Sequence, residues 1–344
     1  MPNSLPNAEL ANMPGLRSAM FDVMAASLRS KVATVEACVG KIGQAIICQD
    51  VGNSWRASVP KTKIPGSDED SSIGYKAHRR TDDPEELAAI VKLNDAYKAV
   101  VNDICQLASI EQLGSQGIEA DDFMIQYARR RAAGGDTVCI LSKDFDILQA
   151  VQAKPSRIVI MQPMQSGQMR GFVHCDDKSN ADSIFALARL NIVLERFVGT
   201  AGKVDPVQVI VDKVFNGDAS DDISPIMCRV KNGRRYKLTA KNLHALRQLC
   251  QSEASFYDKD TVLAMLSYAH EAVHKQAFES LPLEWQQFYV DKFKENRKLV
   301  ICNPTELGDH VAAIEQAANE QLVGMQPCFD IPDSRVLSNI QITN

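Results

Sequence analysis

Five carboxylates form two close groups within the segment 117–151. Glu119, Asp121 and Asp122 precede an amphipathic helix pattern, whereas Asp144 and Asp146 follow a short apolar run. Each group alone has an ordinary structural explanation, because acidic side chains favour the first turn of a helix and aspartates favour turns. Together they would bring like charges close, which requires a counter-charge, and oxygen ligands suit Mg²⁺ or Mn²⁺. The two groups therefore predict a site for a hard divalent cation.

The neighbouring elements predict how these carboxylates are positioned. Apolar residues recur at helical spacing after Asp122, and Gly134-Gly135 can end that helix in left-handed geometry. Residues 137–141 are an apolar, β-rich run, which is typical of a buried strand in a parallel sheet. The first group is thus predicted at a helix N-terminus and the second beyond the C-terminal end of a strand, the edge where open α/β sheets bind ligands.

The order of predicted elements indicates an α/β protein. Further elements are predicted as strands at 44–48 and 157–162, a loop or hairpin at 164–179, and helices at 16–40 and 84–113. From Pro206 onwards the pattern is mostly helical, apart from the run 299–302, which could be strand or turn. We therefore predict a mainly parallel sheet flanked by helices in a domain at 1–205, followed by a helical domain at 206–344.

Three further aspartates are candidate ligands. Asp50 follows the predicted strand 44–48, and Asp218 and Asp221 lie in FNGDASDDISPI, at a spacing that would place both on one helical face. The loop does not match a calcium EF-hand, which alternates its ligands and has glycine at its sixth position. For all three residues the competing interpretation is a turn or a solvated acidic loop.

Basic residues occur in three groups that could contact nucleic acid. Charged runs are often only solvated faces, but a phosphodiester enzyme needs cations that hold the backbone beside carboxylates that hold metals. One group is Arg129-Arg130-Arg131. The nucleic-acid contacts predicted from the other two groups are Lys76, Arg79, Arg80, Arg229, Lys231, Arg234, Arg235, Lys237 and Lys241.

One motif suggests a different chemistry. His270-Glu271-Ala272-Val273-His274 has the form HExxH, which on a helix can place two imidazoles on one face to bind zinc. The candidates for a third ligand are Glu279 and Glu284, and no metzincin-type continuation follows. A zinc peptidase is therefore a distant alternative, and a structural pair of helical histidines is favoured.

Composition sets the broad class. The chain has 344 residues, 45% hydrophobic residues and a formal net charge of −5, which argues neither for nor against nucleic acid as a partner. Its nine cysteines are scattered without a CxxC pair, a pattern expected of buried thiols in a reducing compartment. Membrane spans and a signal-peptide pattern are not predicted. We predict a cytoplasmic protein, located in the host cytoplasm if a phage encodes it.

The motifs in their order resemble the 5′-nuclease superfamily. Asp50 followed by SWR, then YKAHR, GIEADD, SKDFDILQ and GDASDD, is similar to the family pattern YKANR, GYEADD, SGDKDLLQ and GDSSDN. Flap endonucleases, the 5′-exonuclease domain of bacterial DNA polymerase I and phage 5′-3′ exonucleases belong to this family. The C-terminal segment is most similar to the T-even phage ribonuclease H branch. The resemblance implies a PIN-like nuclease domain.

The resemblance also implies roles for individual residues. Two divalent cations, Mg²⁺ or Mn²⁺, are expected to support in-line hydrolysis of phosphodiester bonds. Their expected ligands are Asp50, Glu119, Asp121, Asp122, Asp144, Asp146, Asp218 and Asp221. Lys76 and Arg79 are expected to face the scissile phosphate as catalytic residues with Asp121 and Asp144, and Arg56 is added to the predicted nucleic-acid contacts.

The implied activity is a 5′-3′ exonuclease or flap endonuclease, including ribonuclease H-like primer removal. Residues 76–115 would form a helical arch, and residues 207–250 a helix–three-turn–helix-like element that grips duplex DNA and could bind K⁺. The expected substrates are DNA with 5′ flaps or ends and RNA–DNA hybrids. Replication proteins such as a single-strand-binding protein are candidate partners.

The chain departs from the family pattern at its start. Family members open with an apolar strand that ends in Asp, whereas here the first apolar pattern is the helix from Leu16. Asp222 and His78 also replace asparagines of the family motifs. A partner polypeptide that supplies the missing strand is therefore one expectation, and a catalytically impaired nucleic-acid-binding module or a subunit of a split nuclease is the alternative to an active enzyme.

Overall fold

The computed structural model describes residues 9, 11–79, 81–151, 157–163, 169–174, 203–227, 229–231, 234–308, 311–319, 327–329 and 331. Its helices are α1 (Leu16–Val39), α2 (Pro84–Ala108), α3 (Ala120–Ala133), α4 (Pro206–Asn216), α5 (Ala240–Leu249), α6 (Lys259–His274), α7 (Leu283–Val300), α8 (Pro304–Leu307) and α9 (Val311–Asn319). Its strands are β1 (Ile46–Cys48), β2 (Glu111–Leu113), β3 (Val138–Leu141), β4 (Ile158–Pro163), β5 (Met169–His174), β6 (Lys203–Val204), β7 (Arg229–Lys231) and β8 (Arg234–Tyr236). The predicted α/β class is confirmed.

The two long helices near the start pack against each other. Phe21 and Ala25 of α1 share a buried cluster with Val101 and Ile104 of α2. Helix α2 begins as predicted, because the Asp83 side chain accepts hydrogen bonds from two backbone N–H groups of its first turn. The predicted end at residue 113 is wrong: Ser109, in left-handed geometry at φ 53°, ends the helix.

The chain beyond Ser109 becomes strand β2, which pairs in parallel with β1. Strands β3 and β4 are also parallel, β4 is antiparallel to β5, and β5 is parallel to β6. The segment 164–179, predicted as a loop or hairpin, contains strand β5, which pairs antiparallel with β4. Among the described strands, β1–β2 and β3–β6 are separate sheets.

Helix α3 packs on both sheets. Its Phe123 lies in a cluster with Ile46 of β1, and its Ile125 lies in another with Ile140 of β3 and Ile160 of β4. The predicted Gly-Gly stop is confirmed, since α3 ends at Ala133 and Gly135 adopts φ 104°. The N-terminus of α3 is therefore held at the carboxyl ends of β1 and β3.

The segment from α4 onwards builds the largest core. Val211 and Phe215 of α4 pack with helices α5 to α7, and Phe293 of α7 lies edge-on to Phe215 at 5.7 Å between ring centroids. The strands β7 and β8 form an antiparallel pair between α4 and α5, an exception to the predicted helical pattern. Residues 299–302 are the end of α7 and the turn beyond it. The boundary at 205/206 stays a prediction.

None of the described helices is both long and apolar enough to cross a membrane.

Candidate metal and nucleic-acid site

The end of β3 carries the second acidic group. Beyond Leu141, the Asp144 backbone N–H donates to Ser142 Oγ at 3.1 Å, and the Asp144 carboxylate accepts from the Asp146 N–H at 2.9 Å. Asp146 opens a short 3₁₀ helix whose Ile147 and Leu148 are buried. Both carboxylates are therefore fixed at the carboxyl edge of the sheet, as predicted.

The first acidic group lies opposite. Burial, together with the charges of Asp144, Asp146 and Glu119, raises the pKa of Asp121 to about 7. Burial also raises the pKa of Asp146, to about 6, although Lys213 opposes that shift. Because the charges of Asp144 and Asp146 shift the pKa of Asp121, the two predicted acidic groups lie close together at one site. Crowded carboxylates with raised pKa values are a donor set that suits a hard divalent cation.

A third acidic segment joins them from the loop after α4. Gly217, at φ 69°, opens a tight turn in which the N–H groups of Asp218 and Ile223 each donate to the other residue's carbonyl, at 2.9 and 2.8 Å. Carboxylate oxygens of Asp146, Asp218 and Asp221 all lie within 4.8 Å of one another. In the described part of the chain, this is the one group of three such side chains that could hold a metal ion.

Lys213 is a site residue that the sequence analysis missed. Its ammonium group contacts the carboxylates of Asp146 and Asp218, the latter at 2.6 Å. Desolvation opposes its charged form, but these two carboxylates prevail and raise the pKa of Lys213 well above its usual range. A single lysine on an amphipathic helix gives no sequence signal, because its partner Asp146 lies 67 residues away in the printed sequence.

Lys76 and Arg79 lie beside the carboxylates. The Lys76 ammonium donates to Glu119 at 2.8 Å, and the Arg79 guanidinium donates to Asp221 at 2.8 Å. Tyr75 is buried, and its hydroxyl donates to Glu119 at 2.9 Å. The Lys76 and Arg79 side chains are 27% and 51% exposed, so both can be reached from solvent.

The environment of Arg56 bears on two predicted roles. Its guanidinium is buried and donates to both oxygens of Asp122 at 2.6 and 2.7 Å, and to Glu119 at 2.7 Å. The remaining N–H groups donate to the Leu299 carbonyl and the Cys302 sulfur. Arg56 was predicted to contact nucleic acid and Asp122 to bind metal, but a buried ion pair offers neither side chain to a ligand. Both roles therefore stay predictions.

The carboxylates of Asp50 and Asp222 each have a hydrogen-bond partner in another segment of the chain. The Asp50 carboxylate accepts the Ala120 N–H at 2.6 Å and thereby caps the start of α3. Asp222 pairs with His78, whose backbone N–H and ring nitrogen lie 2.9 and 2.7 Å from one carboxylate oxygen. The metal-binding role of Asp50 stays a prediction. Glu119 also stays one, since its carboxylate already contacts Arg56, Tyr75 and Lys76.

The larger basic segment is described in part. Residues 229–231 and 234–236 form the β7–β8 pair, so Arg229, Lys231, Arg234 and Arg235 lie on a hairpin whose side chains are outside the described set. Lys237 donates to the Asn216 carbonyl at 2.9 Å, and Lys241 is exposed in the first turn of α5. Arg80 lies outside the described residues. The predicted nucleic-acid contacts of this segment stay predictions.

The HExxH motif does not assemble a zinc site. His270 is buried, its Nδ1 lies 2.9 Å from the Gln276 carbonyl, and its ring stacks on His274 at 4.6 Å between centroids. Glu279, a candidate third ligand, accepts a hydrogen bond from Ser267. A three-residue metal-binding group does not form around the motif in the described ranges. The contacts of the two histidines thus fit the favoured interpretation of a structural pair, and a zinc peptidase is not proposed.

A family model matches the middle of this chain. Residues 63–179 match the family described as "5′-3′ exonuclease, N-terminal resolvase-like domain". The match covers residues 63–179 of the 344-residue chain, and this segment is similar to the N-terminal domain of 5′-3′ exonucleases. Over the matched residues, the predicted family, PIN-like fold and nuclease class are confirmed. The chain matches no curated protein sequence significantly.

Several solved structures are similar in fold. One is a complex of the bacteriophage T5 D15 flap endonuclease, a pseudo-enzyme, with product DNA and metal ions. It is 18% identical with a TM-score of 0.49, and the match covers 86% of each chain. Another is the T5 5′-exonuclease with bound zinc ions, at 18% identity and a TM-score of 0.49, covering 90% of this chain and 88% of that one.

Proposed function

We propose that the chain is a Mg²⁺- or Mn²⁺-dependent 5′-3′ exonuclease or flap endonuclease that acts on DNA 5′ ends and flaps and on RNA–DNA hybrids. The observation that carries this proposal is the convergence of carboxylates from the start of α3, the end of β3 and the loop 218–221, beside Lys76 and Arg79.

The proposed ligands are the carboxylates that the structure leaves near one another, namely Asp121, Asp144, Asp146, Asp218 and Asp221. Burial, and after it the charges of the neighbouring carboxylates, raises the pKa values of Asp121 and Asp146, and bound cations would stabilise the charged carboxylates. When bound, two such cations would activate a water and stabilise the leaving oxygen of in-line hydrolysis. The K⁺ ion expected within 207–250 stays a prediction that rests on the family resemblance.

Lys76 and Arg79 would hold the scissile phosphate. Both are cations at the solvent-facing rim of the acidic group, and each keeps a 2.8 Å contact to a carboxylate that positions it. Glu119 and Asp221 thus orient these cations, and Tyr75 supports Glu119 from the buried side. Charges fixed in this way need little rearrangement when a phosphate arrives.

The proposal is tested with Asp144→Ala and Asp121→Ala on a 5′-labelled flap in Mg²⁺. We expect cleavage to fall by about 10²–10³-fold or more, while circular dichroism stays unchanged. Asp260→Ala is the matched control, because Asp260 is an exposed acid in the first turn of another helix, α6. Full activity of either site variant would overturn the proposal.

A second candidate, a subunit of a split nuclease, is favoured by the sheet edges. In the described residues, β1 pairs with β2 alone and β3 with β4 alone, although both lie under α3. All three β1 residues are only partly buried. A parallel strand from a partner polypeptide, ending in the Asp that the family pattern expects, could pair with such edges. Robust Mg²⁺-dependent cleavage by the lone chain would rule this candidate out.

A further inference from the structure

Lys213 occupies a fixed position against the carboxylate group. It lies in the last turns of α4, whose Ile210, Val211 and Val214 are fully buried and prevent the helix from shifting. One turn further along the chain, Gly217 and Asp218 begin the acidic loop. The helix therefore delivers a cation directly beside the loop's first carboxylate.

The lysine contacts two of the three clustered carboxylates. Its ammonium group touches Asp146 and Asp218, and the three side chains are only 14–19% exposed. Solvent therefore screens the contact weakly compared with a surface ion pair. Arg79 contacts the third carboxylate, Asp221, at 2.8 Å. Two cations of the same chain thus offset part of the negative charge of the three carboxylates.

A carboxylate oxygen that holds an ammonium group is less available to a metal ion. We propose that Lys213 is an internal counter-ion, which stabilises the metal-free site and competes with one divalent cation for Asp146 and Asp218. This inference rests on the proposed metal site and adds that the chain itself sets the affinity of that site. Lys213 would act by positioning and by competition, without contact to the substrate.

Metal binding of the lone chain tests the proposal directly. Mn²⁺ is titrated calorimetrically into the wild type, Lys213→Met and Lys213→Arg. We expect Lys213→Met to bind Mn²⁺ about tenfold more tightly, the size of effect seen when groups around a ligand are changed. Lys213→Arg retains the charge and should bind within about threefold of the wild type. In EDTA, Lys213→Met should unfold at a lower temperature, because the carboxylates lose their counter-charge.

Lys237→Met is the matched control, because Lys237 also contacts the end of α4, at the Asn216 carbonyl, but none of the clustered carboxylates. It should leave Mn²⁺ affinity unchanged. If Lys213→Met does not fold, Lys213→Gln carries the test, since it removes the charge but retains a donor. Unchanged or weaker Mn²⁺ affinity of the neutral variant, beside a wild type that binds, would overturn the counter-ion alone. Absence of Mn²⁺ binding to every variant would overturn the metal site and the counter-ion together.

Discussion

Arg56 and Asp122 form a buried, two-pronged ion pair in which two guanidinium nitrogens each donate to one carboxylate oxygen, at 2.6 and 2.7 Å. The same guanidinium also donates to Glu119, to the Leu299 carbonyl and to the Cys302 sulfur, so all five of its N–H groups have acceptors. The arginine thereby ties the start of α3 to the end of α7. Asp122, which the family resemblance assigns to metal binding, thus helps to hold these two helices together.

The first prediction concerns this ion pair. Arg56→Met should destabilise the protein by about 3–5 kcal/mol in urea unfolding, because it leaves Asp122 buried without its partner. The matched control is Arg17→Met, which removes an arginine that is 56% exposed and pairs with Asp103. That control should cost less than about 1 kcal/mol. Equal losses in the two variants would contradict the buried pair.

A double variant separates the pair from simple loss of packing. Adding Asp122→Asn to Arg56→Met should recover part of the lost stability, because the remaining amide carries no charge to bury. Trp55, which donates to Asp122 at 3.1 Å, offers a fluorescence signal for the same unfolding transition. No recovery in the double variant would mean that packing accounts for the whole effect.

Sequence patterns located the acidic groups because each one is local. Asp144 follows a strand that periodicity predicts, and Asp121 begins a helix that an apolar pattern and a Gly-Gly stop define. Both acidic groups lie at the edge of the sheet where the strands end, and this shared position brings them together. These parts of the fold and of the site depend on short stretches of sequence, and for that reason they could be predicted.

The partners of the acids could not be predicted in the same way. Arg56 meets Leu299 and Cys302 across more than 240 residues, and Lys213 meets Asp146 through the packing of α4. Such contacts depend on how the C-terminal helices pack, which no local pattern encodes. The end of α2 was missed for a related reason, since residues 111–113 become a strand only because β1 lies alongside.

The second prediction concerns pH. The pKa of Asp121 is raised by burial and by Asp144, Asp146 and Glu119, from its ordinary value to about 7. The folded state therefore binds the proton of the Asp121 carboxyl more tightly than the unfolded chain does. The stability that this protonated carboxyl contributes is fully present below the pKa of the unfolded chain, and it is lost as the pH rises through the pKa of the folded state. Metal-free protein should lose stability between about pH 4 and about pH 7.

Asp121→Asn isolates this contribution. In EDTA at about pH 8 the variant should be more stable than the wild type by on the order of 1–3 kcal/mol, because no charge is forced into the group. Near pH 4 the two proteins should differ little. Asp260→Asn, in the first turn of α6, is the control and should show no such pH-dependent difference. A constant offset between Asp121→Asn and the wild type across this range would contradict the assignment.

The third prediction concerns Arg79. Arg79→Met should weaken binding of a 5′-flap substrate and reduce its salt dependence by about one unit of slope, since one phosphate contact is lost. Binding is measured by fluorescence anisotropy in Ca²⁺ at several salt concentrations. Lys63→Met is the control, because Lys63 is an exposed cation that pairs with Asp70 away from the carboxylates. The same salt slope in Arg79→Met and the wild type would remove Arg79 from the interface.

The last prediction concerns the turn that presents Asp218 and Asp221. Gly217 has φ 69°, and a Cβ there would overlap the Ile223 carbonyl oxygen and lie 2.8 Å from the Pro225 nitrogen. Gly217→Ala should therefore cost about 1–3 kcal/mol and displace the loop, which weakens Mn²⁺ binding as well. Gly135→Ala is the matched control: Gly135 has φ 104° but no atom within 4 Å of the added Cβ. It should show backbone strain without loss of Mn²⁺ affinity. If both variants bind Mn²⁺ like the wild type, the 218–221 loop does not supply ligands.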